Sequence, residues 1–404
     1  MTEVSLVGAG VIARTHADVL ASLSGLRVTS VVDPDLPAAG RLARRIGTDR
    51  VFPTVQDMLR QGGVARAHVM VPPHLHASVT VPLLEAGVSV LLEKPLAVSG
   101  PEGEALVQAS NDRARLGVNQ NFVHHPAFAR LRQLVRTRAL GRPQFASCLY
   151  SMPLRQLQAR AFGHWMFREP GNILLEQAVH PLSQLAVLCG TVQELRAIAA
   201  PATEIAPGVP FCASAEISLR GTELPAQLHF SVGQSYPVWQ ITVLCDDGVI
   251  IADMVTNRTW CQTRGRWVEA VDTMLSGLRS AAALARESIV NFATYTAAQA
   301  GIASRSDAFF LSMKGSIGAF HAALDAGVAP ELDGRFGAML VDLCETIRDR
   351  AFPKPAPRST GTAVLAEPVV PVEIAILGGT GFIGRHVVRR FLDAGMRISV
   401  MARS

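Results

Sequence analysis

Two stretches of the sequence have residue types and spacing suited to chemistry. The first is Gly8-Ala9-Gly10-Val11-Ile12-Ala13, which has the form G-x-G-x-x-A. In such a loop Gly8 permits a tight turn, Gly10 lets the backbone approach a pyrophosphate, and Ala13 allows a helix to pack closely on a strand. The free N–H groups of Val11, Ile12 and the rest of that helix start would then face the phosphates. Asp33 follows at the distance where a carboxylate can hold a ribose 2′-hydroxyl. With Asp35 beside it a 2′-phosphate would be repelled, so NAD is expected in preference to NADP. The same loop also serves as a plain strand–helix turn in α/β proteins, and the acid favours the binding role. The second stretch is LLEKPLA, with Glu93-Lys94-Pro95 at the end of an apolar run. A lysine placed there can polarise a carbonyl or share a proton with a hydroxyl. Taken alone, an ordinary surface lysine after a strand would be the better reading.

These residues need elements to hold them. Apolar runs at 3–8, 27–33, 67–73 and 88–95 alternate with helical patterns at 11–23, 41–47 and 76–87. Alternation of this kind predicts a doubly wound parallel sheet, closed by a strand near 117–122. Ligands of such sheets sit beyond the carboxyl ends of the strands, which is where Lys94 falls. The pattern then changes. After a helix at 126–138, strand-like runs at 144–151, 194–199, 213–219, 225–232 and 238–253 follow one another without intervening helices. They predict a mostly antiparallel sheet. Helices return at 271–300, 309–327 and 336–351. The expected organisation is a dinucleotide-binding domain over 1–122, an α+β open-sheet substrate domain over 123–352, and a Pro-rich linker over 353–372. A strand–glycine turn–helix–strand segment over 373–404 completes it.

The combination resembles the Gfo/Idh/MocA family of oxidoreductases, the glucose–fructose oxidoreductase and inositol dehydrogenase type. The matching residues are VGAGVIARTHADVL at 7–20, VPPHLHASVTVPLLEAGVSVLLEKPLAVS at 71–99, GVNQNFVHHPAFARLRQLV at 117–135 and ALGRP at 139–143. The resemblance implies hydride transfer to or from a secondary alcohol, usually on a sugar or polyol, and pairing of subunits through the open sheet. By matched position Lys94 is the family's catalytic lysine, with Glu93 beside it. Pro72 and His76 fall on the cofactor-side loop, and Asn119 follows the last strand of the first sheet. For His76 a locally satisfied histidine at a helix start is equally expected.

GNILLEQAVHPLSQLAVLCG at 171–190 resembles the family's second catalytic segment, with Glu176 at the aspartate position and His180 at the histidine position. Spacing of i and i+4 would put both on one helix face. A histidine beside a carboxylate can act as a general base. His180 would take the hydroxyl proton, with Glu176 orienting it or binding a neighbouring hydroxyl. The segment departs from the family pattern: Glu176 is one methylene longer than the usual aspartate, Ala178 replaces a glycine, and Ser183 replaces an acid. Earlier, Val123 stands where relatives often carry arginine. Two other readings stay open: a nucleotide-binding regulatory protein on the same fold, and a reductase of a non-sugar substrate.

The tail carries Gly378, Gly381 and Gly384 with G-x-x-G-x-x-G spacing. It resembles the start of an extended short-chain dehydrogenase of the nucleotide-sugar epimerase kind. Arg403 stands where NAD-type relatives carry an acid, so NADP is possible there. The expectation is a fusion protein cut within its second dinucleotide-binding domain. Residues 272–301 form a long, charge-poor helical stretch. It suits packing against the substrate domain or a partner, or a lid over a lipid-linked substrate with Arg279 and Arg286 on its phosphates.

Composition narrows the class. The 404 residues include 38 Lys and Arg against 33 Asp and Glu, for a formal charge of +5. The excess is spread as single arginines, so nucleic acid is not expected as a partner. Six cysteines lie far apart with no zinc spacing, and are expected reduced and mostly buried. His124-His125 and the His74/His76 pair lack companions at ligand spacing, so no metal is expected. No signal sequence or membrane span is read, and a cytoplasmic homo-oligomer is expected.

Overall fold

The computed structural model describes residues 1–352, 374–377 and 382–401. The chain divides into two compact units, Met1–Pro353 and Lys354–Ser404.

The first unit opens with six parallel strands: β1 (Thr2–Val7), β2 (Leu26–Val32), β3 (Val51–Phe52), β4 (Arg66–Val69), β5 (Ser89–Glu93) and β6 (Leu116–Asn119). Their order in the sheet is β3-β2-β1-β4-β5-β6, the doubly wound order that reverses direction beside β1. Five helices connect them: α1 (Val11–Ala21), α2 (Leu36–Ile46), α3 (Val55–Gln61), α4 (His76–Glu85) and α5 (Gly100–Ala109). Local chemistry sets their ends. Asp35 caps α2 by accepting the Ala38 N–H, Gly47 closes it in the left-handed conformation, and Thr54 caps α3. The short elements β3, α3 and α5 carry too few apolar positions to register in the sequence pattern.

A second, seven-stranded sheet follows α6 (Pro126–Arg136). It contains β7 (Pro143–Met152), and after a one-turn α7 (Arg155–Gln158) and α8 (Val179–Cys189) it adds β8 (Val192–Ala199). A hairpin of β9 (Thr203–Ala206) and β10 (Val209–Phe211) stands apart from it. The sheet resumes with β11 (Ser214–Gly221), β12 (Pro225–Val232), β13 (Val238–Cys245), β14 (Gly248–Asp253) and β15 (Arg258–Thr263). Its order is β15-β14-β13-β7-β12-β11-β8, antiparallel except where β7 pairs with β12. Along β12, Ala226, Leu228 and Phe230 are buried while Gln227 between them is exposed, as period-two alternation requires of a sheet with one covered face. The cover is α8, almost every residue of which is buried.

Three long helices complete the unit: α9 (Glu269–Gln299), α10 (Ala308–Asp325) and α11 (Gly334–Ala351). In sequence α10 falls in the second domain. In space its Phe310, Met313, Ile317 and Phe320 share a core with Val4, Leu6, Ala13 and Leu91 of the first sheet. An all-parallel sheet must be covered on both faces, and the chain returns from its far end to do so. By contrast α9 buries only Asp272, whose carboxylate accepts the Gly265 and Trp267 N–H groups. The cysteines are all free, four of them buried. No helix among the described residues is long and apolar enough to cross a membrane.

In the second unit β16 (Ile374–Leu377) and β17 (Ile398–Met401) pair in parallel, joined through α12 (Phe382–Asp393). The proposed linker, Gly378, Gly381 and Arg403 lie outside the described residues.

Candidate active site

The glycine loop sits between β1 and α1. Gly8 has a φ of +104°, and a Cβ there would lie 2.8 Å from the Met70 carbonyl oxygen, so only glycine fits. A Cβ on Gly10 would meet open space. Gly10 is the N-cap of α1 without a capping side chain, and Val11 beside it is 91% exposed. The first turn of α1 therefore offers its N–H groups and dipole to an outside anion. Ala13 is fully buried under the loop. Asp33 accepts the Ala9 N–H at 2.7 Å and the Asp35 N–H at 2.8 Å, which fixes its carboxylate at the rim of the loop. Loop, helix start and acid together fit the pyrophosphate and ribose of a dinucleotide.

Lys94 follows β5 directly. Its Nζ donates to the Glu176 carbonyl oxygen at 2.9 Å and lies 3.3 Å from Glu176 Oε1. Glu176 belongs to a π-helical turn, Leu174–Ala178, that leads into α8. Widening the turn to i→i+5 shifts the facing of its side chains. Glu176 consequently pairs with Lys94, and no hydrogen bond joins it to His180. The expected orientation of His180 by Glu176 is corrected accordingly.

His180 lies in the first turn of α8, 8% exposed, with Phe122 edge-on at 4.9 Å between ring centroids and Trp239 at 6.3 Å. Its Nδ1 is buried without a hydrogen-bond partner. Burial first, and then the Lys94 charge, push its pKa well below the ordinary histidine value, so the ring is a neutral imidazole. Asn119 ends β6 and donates from Nδ2 to Glu93 Oε1 at 2.5 Å, while its Oδ1 is unpartnered. Both side-chain polar atoms of Gln120 and Nδ1 of His125 are likewise buried and unpaired. Sequence reasoning gives no role to Gln120, Phe122 or Trp239, and weighs His125 as a metal ligand, which it rejects. GVNQNFVHHP held the signal for three of them, two polar residues and an aromatic directly after the last parallel strand.

Two expected cofactor residues are placed differently. His76 is fully buried, with Nε2 3.0 Å from the Val71 carbonyl and Nδ1 3.2 Å from the Leu96 carbonyl. Its two ring nitrogens face these backbone carbonyls, to one of which its single N–H donates when the ring is neutral, and it lies in the interior between the loop holding Pro72 and the segment after Lys94. Glu93 turns inward, with His16 and Asn119 on its carboxylate. A cavity of about 650 Å³ lies elsewhere, between the end of α8 and α11, lined by residues that include Thr191, Phe336, Met339 and Arg350, and shares no residue with this crevice.

Comparison with known proteins agrees with this layout. A family model described as "Oxidoreductase family, NAD-binding Rossmann fold" matches residues 2–120, and the "GFO/IDH/MocA C-terminal domain" matches residues 128–251. The two models belong to one family and together cover more than half of the chain. A dTDP-3,4-didehydro-2,6-dideoxy-alpha-D-glucose 3-reductase from Streptomyces violaceoruber is 30% identical over 46% of this chain and 53% of its own length. An inositol 2-dehydrogenase from Corynebacterium glutamicum is 28% identical over 34% of this chain and 42% of its own. The chain thus spans about half the length of these relatives. Among solved structures, an oxidoreductase from Agrobacterium radiobacter in complex with NAD+, L-tartaric acid and magnesium superposes with a TM-score of 0.69 at 14% identity, over 87% of this chain and 96% of that one. A UDP-N-acetylglucosamine 3-dehydrogenase from Acidithiobacillus ferrooxidans gives 0.65 at 19% identity, over 86% and 97%. At these identities the superpositions speak for the fold.

Proposed function

The chain belongs to the Gfo/Idh/MocA family of oxidoreductases, and from that premise we propose that it is an NAD-dependent dehydrogenase or reductase acting on a secondary alcohol or ketone of a sugar, polyol or nucleotide sugar. The observation that carries the reading is the convergence of Lys94, from the end of β5, with the turn that places the unpartnered His180 Nδ1. Bound NAD supplies the hydride acceptor. The Gly8–Ala13 loop holds its pyrophosphate, and Asp33 its ribose. His180, neutral through burial, takes the proton of the substrate hydroxyl at a ring nitrogen. Lys94, steadied by Glu176, stabilises the negative charge that develops on the substrate oxygen. Asn119 Oδ1, Gln120 and His125 offer unfilled hydrogen-bonding positions for polar groups of the substrate or nicotinamide.

Nicotinamide reduction or oxidation by the purified protein against a panel of sugars, polyols and nucleotide sugars tests this, with Lys94→Ala beside it. Turnover that disappears in the variant supports the assignment, and turnover that survives overturns it. Tight NAD binding with no turnover on any compound would replace it with a nucleotide-binding role. For the tail we propose the first unit of a second dinucleotide-binding domain, on its parallel β16–α12–β17 arrangement. Nicotinamide nucleotide binding by a longer chain that vanishes with Gly381→Val, the first site being already blocked, would support it.

A further inference from the structure

Behind Glu93 a row of three imidazoles runs through the interior beneath the first sheet. His16 of α1, His68 of β4 and His321 of α10 are all buried. His16 Nε2 lies 2.7 Å from Glu93 Oε1, and His16 Nδ1 lies 2.9 Å from His68 Nδ1. His68 Nε2 lies 3.0 Å from His321 Nε2, and His321 Nδ1 lies 3.0 Å from an Arg66 guanidinium nitrogen. Arg66 also pairs with Asp325, whose side chain is 59% exposed. The row thus begins beside Lys94 and ends at the surface.

Its two ends fix every proton. A guanidinium only donates, so His321 Nδ1 accepts and its Nε2 carries the hydrogen. A neutral imidazole has one donor and one acceptor, so His68 accepts at Nε2 and donates at Nδ1. His16 then accepts at Nδ1 and donates from Nε2 to the Glu93 carboxylate, which only accepts. The direction demanded by Arg66 is the one demanded by Glu93, and three neutral rings satisfy both, with Asn119 Nδ2, 3.4 Å from His16 Nε2, giving its hydrogen to the same Glu93 oxygen. The charged groups facing the row are Glu93 at one end and Arg66 and Asp325 at the other. Burial, with neighbouring histidines, holds His68 far below the ordinary histidine pKa, and burial with Arg66 brings His321 to about 4. A further proton on any ring would make it a double donor facing its neighbour's N–H.

We infer that this one-directional row holds the Glu93 carboxylate against Asn119 and the Lys94 backbone, making His68 and His321 positioning residues for a site that neither touches. The inference rests on the reading of the Lys94 crevice as the reaction site. Its first consequence is read without turnover. Nitrogen-15 NMR of the full chain with labelled histidine should find Nε2–H on His16 and His321 and Nδ1–H on His68, with His68 and His321 neutral between about pH 6 and 8. Nε2–H on His68, or a charged His68 or His321 ring in that range, overturns the row.

The second consequence is in NAD+ binding. His68→Leu leaves His16 Nδ1 without its hydrogen-bond donor, so Glu93 is no longer held in one geometry and affinity should fall by about tenfold. His68→Gln, which can both donate and accept, should recover most of it. Affinity in His68→Leu equal to wild type across that pH range overturns the positioning role, whatever happens to stability. The tautomers are read on the wild type, so a variant that fails to fold still leaves the row exposed to refutation. Turnover retained in Lys94→Ala is a failure of the crevice reading, separable from a failure of the tautomer pattern.

Discussion

Two groups of buried polar side chains meet at the carboxyl ends of β5 and β6, and they differ in whether their hydrogen bonds are complete. On the inner side Glu93, His16, His68 and His321 are joined end to end. At the end of β6, just after it and at the start of α8, Asn119 Oδ1, both polar atoms of Gln120, His125 Nδ1 and His180 Nδ1 have no partner among the described residues. An unmade hydrogen bond on a buried group costs about 1–3 kcal/mol, so the second group is a standing cost to the fold. On the proposed reading the first side positions and the second binds. Completed bonds define one geometry, and unfilled ones are what the proposed binding role would use.

Changing one member of the open group should separate the two most strongly. His180→Phe keeps the ring among Phe122 and Trp239 and removes both nitrogens. Turnover should fall by about 10²- to 10⁴-fold, the range of a lost general base, while the melting temperature holds or rises. A variant that is equally active, or one that is strongly destabilised, would contradict the placement of His180 on the binding side.

Acid strains both groups. His125 on the open side and His321 on the closed side have pKa values pushed down to about 4, chiefly by burial. Unfolded, each titrates near its ordinary value of about 6.5. Between these values the unfolded chain binds more protons than the folded one, so stability is full above about pH 6.5 and is lost as pH falls through that window. From pH 7 to pH 5 each of the two should withdraw about 2 kcal/mol, as measured by urea denaturation. His125→Gln and His321→Gln should each abolish their own share of the slope. An unchanged slope would mean that the ring titrates in the native state as it does in the unfolded chain.

How much of this could be read from the sequence follows the distance over which each part is determined. The glycine loop, Asp33 and Lys94 are set by strand–turn–helix patterns within a few tens of residues, and the structure has them at the strand ends where that pattern puts them. The helix read at 271–300 is likewise local, and α9 spans Glu269–Gln299. The facing of Glu176 was not legible, because i, i+4 spacing assumes an α-helix and the chain makes a π-turn there. The burial of His76 depends on the Leu96 carbonyl from another loop. The imidazole row was least legible of all. His68 and His321 are 253 residues apart, and nothing in the sequence of α10 announces that it covers the first sheet.

The closed group is tested by His68→Leu in stability. The substitution leaves an acceptor on His16 and a donor on His321 without partners, and a loss of about 2–4 kcal/mol is expected from two unmade buried bonds. Asn119 offers a contrast within one side chain. Its Nδ2 serves Glu93 and its Oδ1 serves nothing in the protein. Asn119→Asp would set a second carboxylate against Glu93 and should destabilise more than Asn119→Leu. The reverse order would show that Glu93 is not held as an anion.

The smallest expected effect decides most directly between the two groups. Gln120 is 1% exposed, and neither its Nε2 nor its Oε1 has a partner. Gln120→Leu keeps the approximate volume and removes both unpaired atoms. In the closed group such an exchange would be destabilising. Here it should raise stability by about 1 kcal/mol, because a desolvated amide is replaced by an apolar group. The same variant should bind NAD+ or substrate more weakly, since the amide is what a bound molecule would meet. Gain in one measurement and loss in the other is the signature of a residue whose hydrogen bonds are reserved for a ligand. Loss in both would mean that Gln120 is bonded within the protein in solution and belongs with the inner network.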